Sequence, residues 1–484
     1  MNTKLLKIVG VLLGIVLVYA LVVVGSNAFH RTGNGTVATQ AELEMWSVFD
    51  TSDDMQPILT DLRNKYGIKV NYRSFTDMAE YRETLLRELA SGQGPDIFAM
   101  HNTWLPKYRA LATPLPEEQL GFTPEKVRKQ FVDTVAVDFI RPSENKTNAR
   151  RFESVDQIFG LPQYVDSLAL WYNADIFKRV LEKPFARPEP TWAGAKRDAA
   201  GLSVPDADDD EGFRLTGIAA GRADNISRGK ELFYTLFLQY GGSQATSDAA
   251  YPQVASSGRV RTGNAGTSAL DFLSRFTRDA ELPEYSWNAE MGQGAPEMEI
   301  DAFVRGKVAS IAGYSYYYDL IAKSVHQYQR KNITGLVDLS DVAAAPIPQL
   351  SDPASGDPKV ALADYFALSV AQSSKYPTQA WQAILYLTGR EAVSKYAEAT
   401  GRPASRRDVL VGQQQQDGPV ATFARQAVYA ETLKMADPDK FHAAVAEVMT
   451  RVADGTVQPR AGIATLDRYL KCLEQNKGSC VLGG

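Results

Sequence analysis

The sequence is poor in the residues from which most metal and redox centres are built. Among 484 residues there are two cysteines, Cys472 and Cys480, and four scattered histidines, His30, His101, His326 and His442. That supply excludes a cysteine-caged zinc or an iron–sulfur cluster, which needs several such ligands at close spacing. No metal and no cofactor is expected. Charge of a single sign is also lacking: 52 Lys and Arg face 57 Asp and Glu, a net −5. So mild and mixed a balance gives a polyanion nothing to bind, and a nucleic-acid partner is excluded. Gly229-Lys230 and Gly306-Lys307 lack both the following Ser or Thr and the leading glycine of a phosphate-cradling loop. Gly-x-Ser-x-Gly and His-Glu-x-x-His are absent as well.

Long apolar runs are missing with one exception. Ile8 to Gly25 holds 18 residues without a charge behind Lys4 and Lys7. As a helix it spans ~27 Å at ~1.5 Å per residue, enough for a bilayer core. The basic flank keeps the N-terminus cytoplasmic and delivers the rest across the membrane. A cleaved signal peptide, with Ser26-Asn27-Ala28 as its small-x-small site, competes with a retained anchor. The run exceeds the ~7–15 residues of a signal core, so the anchor at residues 8–25 is preferred and a cleaved, secreted form is second. Residues 1–28 then form the anchor or signal segment and 29–40 a Gly/Thr-rich linker. Everything beyond lies on the extracytoplasmic side. There Cys472 and Cys480, eight positions apart with Gly478 between them, either close a small disulfide loop or stay as free thiols.

What is present is an alternation of strand and helix. Leu43–Phe49 reads as a strand, Asp53-x-x-Gln56 as a capping box, and Met55, Ile58, Leu59, Leu62 and Tyr66 as one face of a helix. Ile68–Tyr72, Asp77–Ala90 and Pro95–Met100 continue the series as strand, helix and strand. Successive β-α-β units predict a mostly parallel sheet covered by helices, with ligands beyond the carboxyl ends of its strands. Further on, Leu161–Tyr172, Val342–Pro348 and Phe366–Ala371 read as extended, Lys230–Tyr240 and Ser268–Arg278 as helices, and helices dominate after Pro377. Pro184–Asp210 reads as a loop.

Four blocks of this sequence resemble a known family. Ser91-Gly92-Gln93-Gly94-Pro95-Asp96-Ile97 is similar to the small-Gly-x-x-Pro-Asp-hydrophobic signature of the extracellular solute-binding proteins of maltose-binding type, which serve ABC importers. Gly160-Leu161-Pro162 with Leu170 to Phe177, Phe303 to Ser310 with Gly313-Tyr314, and Ala399 to Pro403 resemble that family's later blocks, in order, over about residues 42–410. The resemblance implies an α/β fold of the periplasmic-binding-protein type II class. Two discontinuous lobes are joined by hinge strands, behind the N-terminal transmembrane helix. Crossings are expected near Pro162–Asp166, Gly313–Tyr314 and Asp364–Phe366. That divides the chain into 41–163 with 314–363 as one lobe and 164–313 with 364–484 as the other. The family's lipid-anchoring cysteine is replaced by Ser26, so the transmembrane helix is expected to do the tethering.

The implied function is a membrane-tethered subunit of an ABC importer that closes on a sugar or oligosaccharide, with permease subunits as partners and no catalysis of its own. Aromatic rings stack on sugar C–H faces, and carboxylates and amides pair with the hydroxyls. The candidate rings are Trp46, Trp104, Tyr164, Trp287, Tyr314, Tyr316 and Tyr365. The candidate polar groups are Asp50, Thr51, His101, Asn102, Asp166, Asp364 and Arg402. A binder of another solute class, an amino acid or polyamine, and a glycoside hydrolase with a carboxylate pair are the alternatives.

Overall fold

The computed structural model describes residues 40–143, 155–182, 187–206, 212–242, 244–245, 264–291, 298–435, 437–476, 480 and 482. The apolar run 8–25, the segment 1–28 and all but the last residue of the linker 29–40 lie outside these residues. Among the described residues no helix is long and apolar enough to cross a membrane.

Strand β1 (Ala41–Val48) leads into helix α1 (Ser52–Tyr66). The helix starts ahead of the box read from the sequence. Thr51 is the N-cap, its hydroxyl taking the Asp54 N–H while the Asp54 carboxylate takes the Thr51 N–H at 2.9 Å. The periodic face Met55, Ile58, Leu59 and Leu62 is buried as expected. Then come β2 (Ile68–Phe75), α2 (Met78–Ser91), β3 (Ile97–His101), the short α3 (Leu105–Tyr108), β4 (Ala112–Thr113) and β5 (Leu161–Pro162). After β6 (Asp166–Ser167) the chain builds a second body from β7 (Ala169–Asn173), β8 (Val204–Pro205), β9 (Phe213–Ile218), α4 (Gly229–Gln239), α5 (Ala265–Ser274), β10 (Val308–Gly313), α6 (Tyr317–Arg330) and β11 (Val342–Ala345). It returns through β12 (Ala361–Asp364) and β13 (Phe366–Ala371) to α7 (Pro377–Leu387) and α8 (Arg390–Thr400). Finally β14 (Ala430–Glu431) leads to α9 (Pro438–Ala453) and α10 (Pro459–Asn476). The tail is stapled by the Cys472–Cys480 disulfide.

The two largest sheets are ordered β2-β1-β3-β13-β4 with β5 also on β13, and β8-β9-β10-β7-β11. The first pairs β1 with β2 and β3 in parallel, while β13 runs antiparallel to β3, β4 and β5. In the second only β9 and β10 are parallel. The expected mostly parallel sheet is therefore a mixed one. In the first sheet the reversed strand is β13, which arrives late in the chain, whereas in the second it is the early strand β7 that runs against both its neighbours. Each sheet has its own core: Trp381, Ile384, Leu387 and Tyr396 pack with the α1 face over the first, and Trp192, Phe237, Leu270 and Val448 lie in the second body.

Between the bodies lies a three-stranded sheet, β14-β12-β6. Ala363 pairs with Ser167 and Asp364 with Asp166, while Ala361 and Leu362 pair with Ala430 and Glu431. The chain thus passes between lobes at 164–168, 361–366 and about 430–433. The expected crossing at Gly313–Tyr314 is not one. Gly313 ends β10 inside the second sheet, and the following helix α6 packs its Tyr317, Ile321 and Val325 into the second body. In consequence 314–363 belongs with the second lobe, and 364 to about 414 with the first, the reverse of the division read from the sequence. Pro184–Asp210 also holds a helix, Trp192–Leu202, capped by Thr191.

Candidate functional site

A cavity of about 210 Å³ opens between the lobes beside the hinge strand β12. The first lobe lines it with Met78 and Arg82 from α2 and with His101, Thr103 and Trp104 after β3. The second lobe supplies Glu231 and Tyr234 from α4, Tyr314 after β10, Met435, and Asp439 and His442 of α9. Asp364, at the end of β12, lies between them, deep in the molecule yet with 36% of its side chain open. This is the strand-end position at which open α/β sheets present ligands.

Local sequence explains the placement. Gly313 has no room for a side chain, since a Cβ there would stand 2.2 Å from the Tyr317 ring. That contact brings the turn close enough for Tyr314 to line the cavity. Arg228 begins α4 and donates to Glu231 Oε1 at 3.0 Å, to the Tyr316 hydroxyl at 2.6 Å and to the Tyr317 hydroxyl at 3.1 Å. Its guanidinium also lies 5.4 Å from the Tyr314 ring centre. Burial works against the Arg228 charge, but the facing tyrosines and Glu231 hold it well above the ordinary arginine value. With Oε1 so engaged, Glu231 Oε2 is buried without a hydrogen-bond partner among the described residues, and so is the Tyr314 hydroxyl. Unpaired buried polar atoms are costly, and both of these belong to residues of the cavity wall.

His101 Nδ1 is 2.8 Å from the Thr103 hydroxyl, and its Nε2 faces Asp364 at 3.6 Å. Burial pushes the Asp364 carboxyl up, yet His101 outweighs it, and the carboxyl sits below its ordinary range. His442 accepts or donates at 2.7 Å to the Tyr234 hydroxyl, and burial lowers its pKa to about 4. Neutral at physiological pH, it adds a hydrogen-bonding edge and no charge. The arrangement sets carboxylates and imidazoles beside Trp104, Tyr234 and Tyr314 in one cavity wall. Among the described residues no group of three or more His, Cys, Asp and Glu could hold a metal ion.

Of the residues read from the sequence, His101, Trp104, Tyr314 and Asp364 line this cavity, and Tyr316 braces it through Arg228. The others are placed elsewhere. Trp287 is fully buried in the second lobe, its Nε1 donating to Asn225 Oδ1 at 2.9 Å. Trp46 packs against Phe75 beneath the Arg73 guanidinium. Asp50 accepts from Arg402 Nη1 at 2.6 Å and from the Tyr396 hydroxyl at 2.9 Å, while Arg402 covers the Tyr164 ring at 4.5 Å. Those four residues form a buried cluster beside the first crossing. Burial opposes the Arg402 charge, but Tyr396 and Asp50 hold it well above its ordinary value. The Thr51 hydroxyl is engaged in its helix cap.

Three more expected site residues belong to the hinge. Asp166 takes the Ser315 N–H at 2.9 Å and the Ser315 hydroxyl at 2.6 Å. Asn102 Nδ2 donates to the Thr432 hydroxyl at 2.8 Å, and Tyr365 donates its hydroxyl to Asp138 Oδ2 at 2.6 Å.

The sequence reading missed Arg82, Arg228, Glu231, Tyr234, Asp439 and His442. One signal was available: Glu231 is the one acidic residue at the start of a strongly apolar helix, beside Lys230, where a charge needs a reason. Phe49, at the carboxyl end of β1 where the strand pattern points to a ligand, has φ 71°, 48% of its surface exposed and its ring edge-on to Phe366. A bulky residue is strained in that left-handed region, and such strain concentrates at functional sites.

With this geometry established, comparison with known proteins defines the class. The model of the bacterial extracellular solute-binding proteins matches residues 50–394, and the chain belongs to that family. No curated relative matches the sequence. Among solved structures, the sugar-binding protein MalE of Xanthomonas citri superimposes with a TM-score of 0.64 at 17% identity, covering 90% of this chain and 98% of that one. A solute-binding protein of Thermotoga lettingae bound to α-D-tagatose gives 0.62 at 19%, covering 89% and 99%. The GacH receptor of Streptomyces glaucescens, solved unliganded and with acarbose, gives 0.63 at 16%, covering 91% and 99%. At such identities these likenesses establish the fold, a periplasmic-binding-protein-like pair of α/β lobes.

Proposed function

We propose that this chain is the sugar-binding component of an ABC importer, held on the extracytoplasmic face by residues 8–25 and serving membrane permease subunits. The observation that carries the reading is the interlobe cavity. There Glu231 and Tyr314, each with an oxygen that has no partner among the described residues, share one wall with Asp364, His101, Trp104 and Tyr234. A sugar has hydroxyls for the first set and C–H faces for the second. The sugar ligands named for the structural neighbours support the same class. Phe49, strained after β1 and exposed beside Phe366, adds a ring for stacking.

Binding closes the cleft, because Glu231 and Tyr314 belong to one lobe and His101 and Trp104 to the other. A ligand that touches both gains contacts in the closed state that it lacks in the open one, and so shifts the population. The transporter then reads the closed outline. A thermal-shift screen of the full chain against mono- and oligosaccharides, amino acids and polyamines tests the reading. Sugars should raise the melting temperature and emerge chemically unchanged. Glu231→Gln should weaken binding of the best sugar about tenfold or more, the scale of ~1.5–3 kcal/mol for a hydrogen bond to a charged group. Stabilisation by polyamines or amino acids alone, or turnover of an oligosaccharide, would refute it.

A further inference from the structure

Four charged side chains meet across the mouth of the cavity. Arg82 of α2 donates to Asp439 Oδ1 of α9, and Lys107 of α3 lies 3.0 Å from Asp437 and 3.6 Å from Asp439. Arg82 and Lys107 belong to the first lobe, Asp437 and Asp439 to the second, more than 300 residues away in sequence. Side-chain exposure of 26–38% places all four at the rim. Arg82, Pro438 and Asp439 are themselves part of the cavity wall. The acidic pair is held in position by its own helix: Asp437 caps α9, taking the Lys440 N–H, and Pro438 follows in the first turn. An isolated exposed ion pair holds little, but charges that share partners act as a network.

The enclosed space is small. At about 210 Å³ it falls below the ~300–1,000 Å³ of pockets for larger ligands. A single sugar ring with its hydroxyls fits that volume, and a chain of rings does not. Extension towards α2 and α9 runs into the charged rim. Building on the sugar reading, we infer that the Arg82–Lys107–Asp437–Asp439 network determines ligand length. It seals the cleft behind one ring and excludes longer oligosaccharides, so these four residues set specificity without belonging to the hydroxyl-binding set.

The test is titration calorimetry of the full chain with glucose, xylose and galactose and with their di- and trisaccharides. The wild type should bind one of the single sugars at least about tenfold more tightly than the matching trisaccharide, a discrimination of the size one blocked subsite provides. Arg82→Ala combined with Lys107→Ala should lower that ratio about tenfold, as should 0.5 M salt, which screens exposed pairs. Asp439→Asn, which keeps the shape of the rim, is the second variant should the double one melt early. A wild type that prefers the trisaccharide overturns the inference and leaves the sugar reading intact. So does an unchanged ratio in Asp439→Asn at wild-type melting temperature. Binding of no sugar in any series refutes the underlying reading and the inference with it.

Discussion

Arg402 and Trp287 show how a residue type suited to binding is put to structural use. Each has the chemistry of a sugar contact, and each is buried with its polar atoms already engaged. Asp50 and Arg402 form a pair whose separation would leave a charge in the interior. Arg402→Ala should therefore cost ~3–5 kcal/mol of stability, read from urea denaturation. Trp287→Ala should cost a similar ~3–5 kcal/mol through the cavity it opens. Ligand affinity of whatever fraction stays folded should be unchanged in both, and a loss of affinity at wild-type stability would return these residues to the site. Tyr314 differs in that its hydroxyl has no partner among the described residues. Tyr314→Phe should leave the melting temperature within a few degrees and weaken binding of the best sugar severalfold, by calorimetry, since a neutral hydrogen bond contributes ~0.5–1.5 kcal/mol.

At the scale of the element, two buried carboxyls flank the hinge, Asp166 on the strand β6 and Asp138 on a first-lobe helix, Asp133–Phe139. Asp138 takes hydroxyl bonds from Thr134, Tyr365 and Thr432, and Asp166 is held by Ser315 and Ser167. Burial nevertheless pushes each pKa up to about 6. An aspartate in the unfolded chain titrates near ~3.9. Between pH ~4 and ~6 the folded protein therefore holds protons that the unfolded chain has released. Stability falls as pH rises through that window and is level, for these groups, above it. A shift of two units amounts to ~2–3 kcal/mol per carboxyl. Asp138→Asn keeps an acceptor for the three hydroxyls and removes the titration. It should melt above the wild type at pH 7.5 and together with it at pH 4, in a pair of calorimetric scans; equal gaps at the two pH values would contradict the assignment. The same elements explain a misreading of the sequence. Gly313-Tyr314 marks a close approach of β10 to α6, and a glycine that permits packing looks in sequence like one that permits a crossing.

For the whole molecule, the site exists only where both lobes and the hinge meet, so its ligand acts on the assembled pair. At a hundredfold excess over Kd a ligand adds ~2.7 kcal/mol to the folded state by mass action. That gain should appear in the unfolding of both lobes, followed by tryptophans placed one in each core, such as Trp381 and Trp171. Stabilisation confined to one lobe would mean that the ligand does not bridge them.

Much of the local structure was legible from sequence. The strands at 41–48 and 366–371, the buried face of α1, the apolar helix at 229–239 and the family blocks follow from periodicity, caps and turn residues, which act over a few positions. The Trp192–Leu202 helix was not, because its Gly and Ala residues carry little apolar pattern. The site was half legible: His101, Trp104, Tyr314 and Asp364 sit at strand ends, where a periodic pattern stops and a ligand can be expected. Glu231, His442 and the Arg82–Asp439 rim were not, since nothing local distinguishes a charged residue that faces a cleft from one that faces water.

The sequence by itself determined the elements, the family and the class of side chain available for binding, because these depend on neighbours along the chain. Only the tertiary structure decided which lobe each late segment joins, which polar atoms are left without a partner among the described residues, and how much space lies between the lobes. Those outcomes depend on contacts between residues hundreds of positions apart, where burial and pairing choose among groups that are chemically alike.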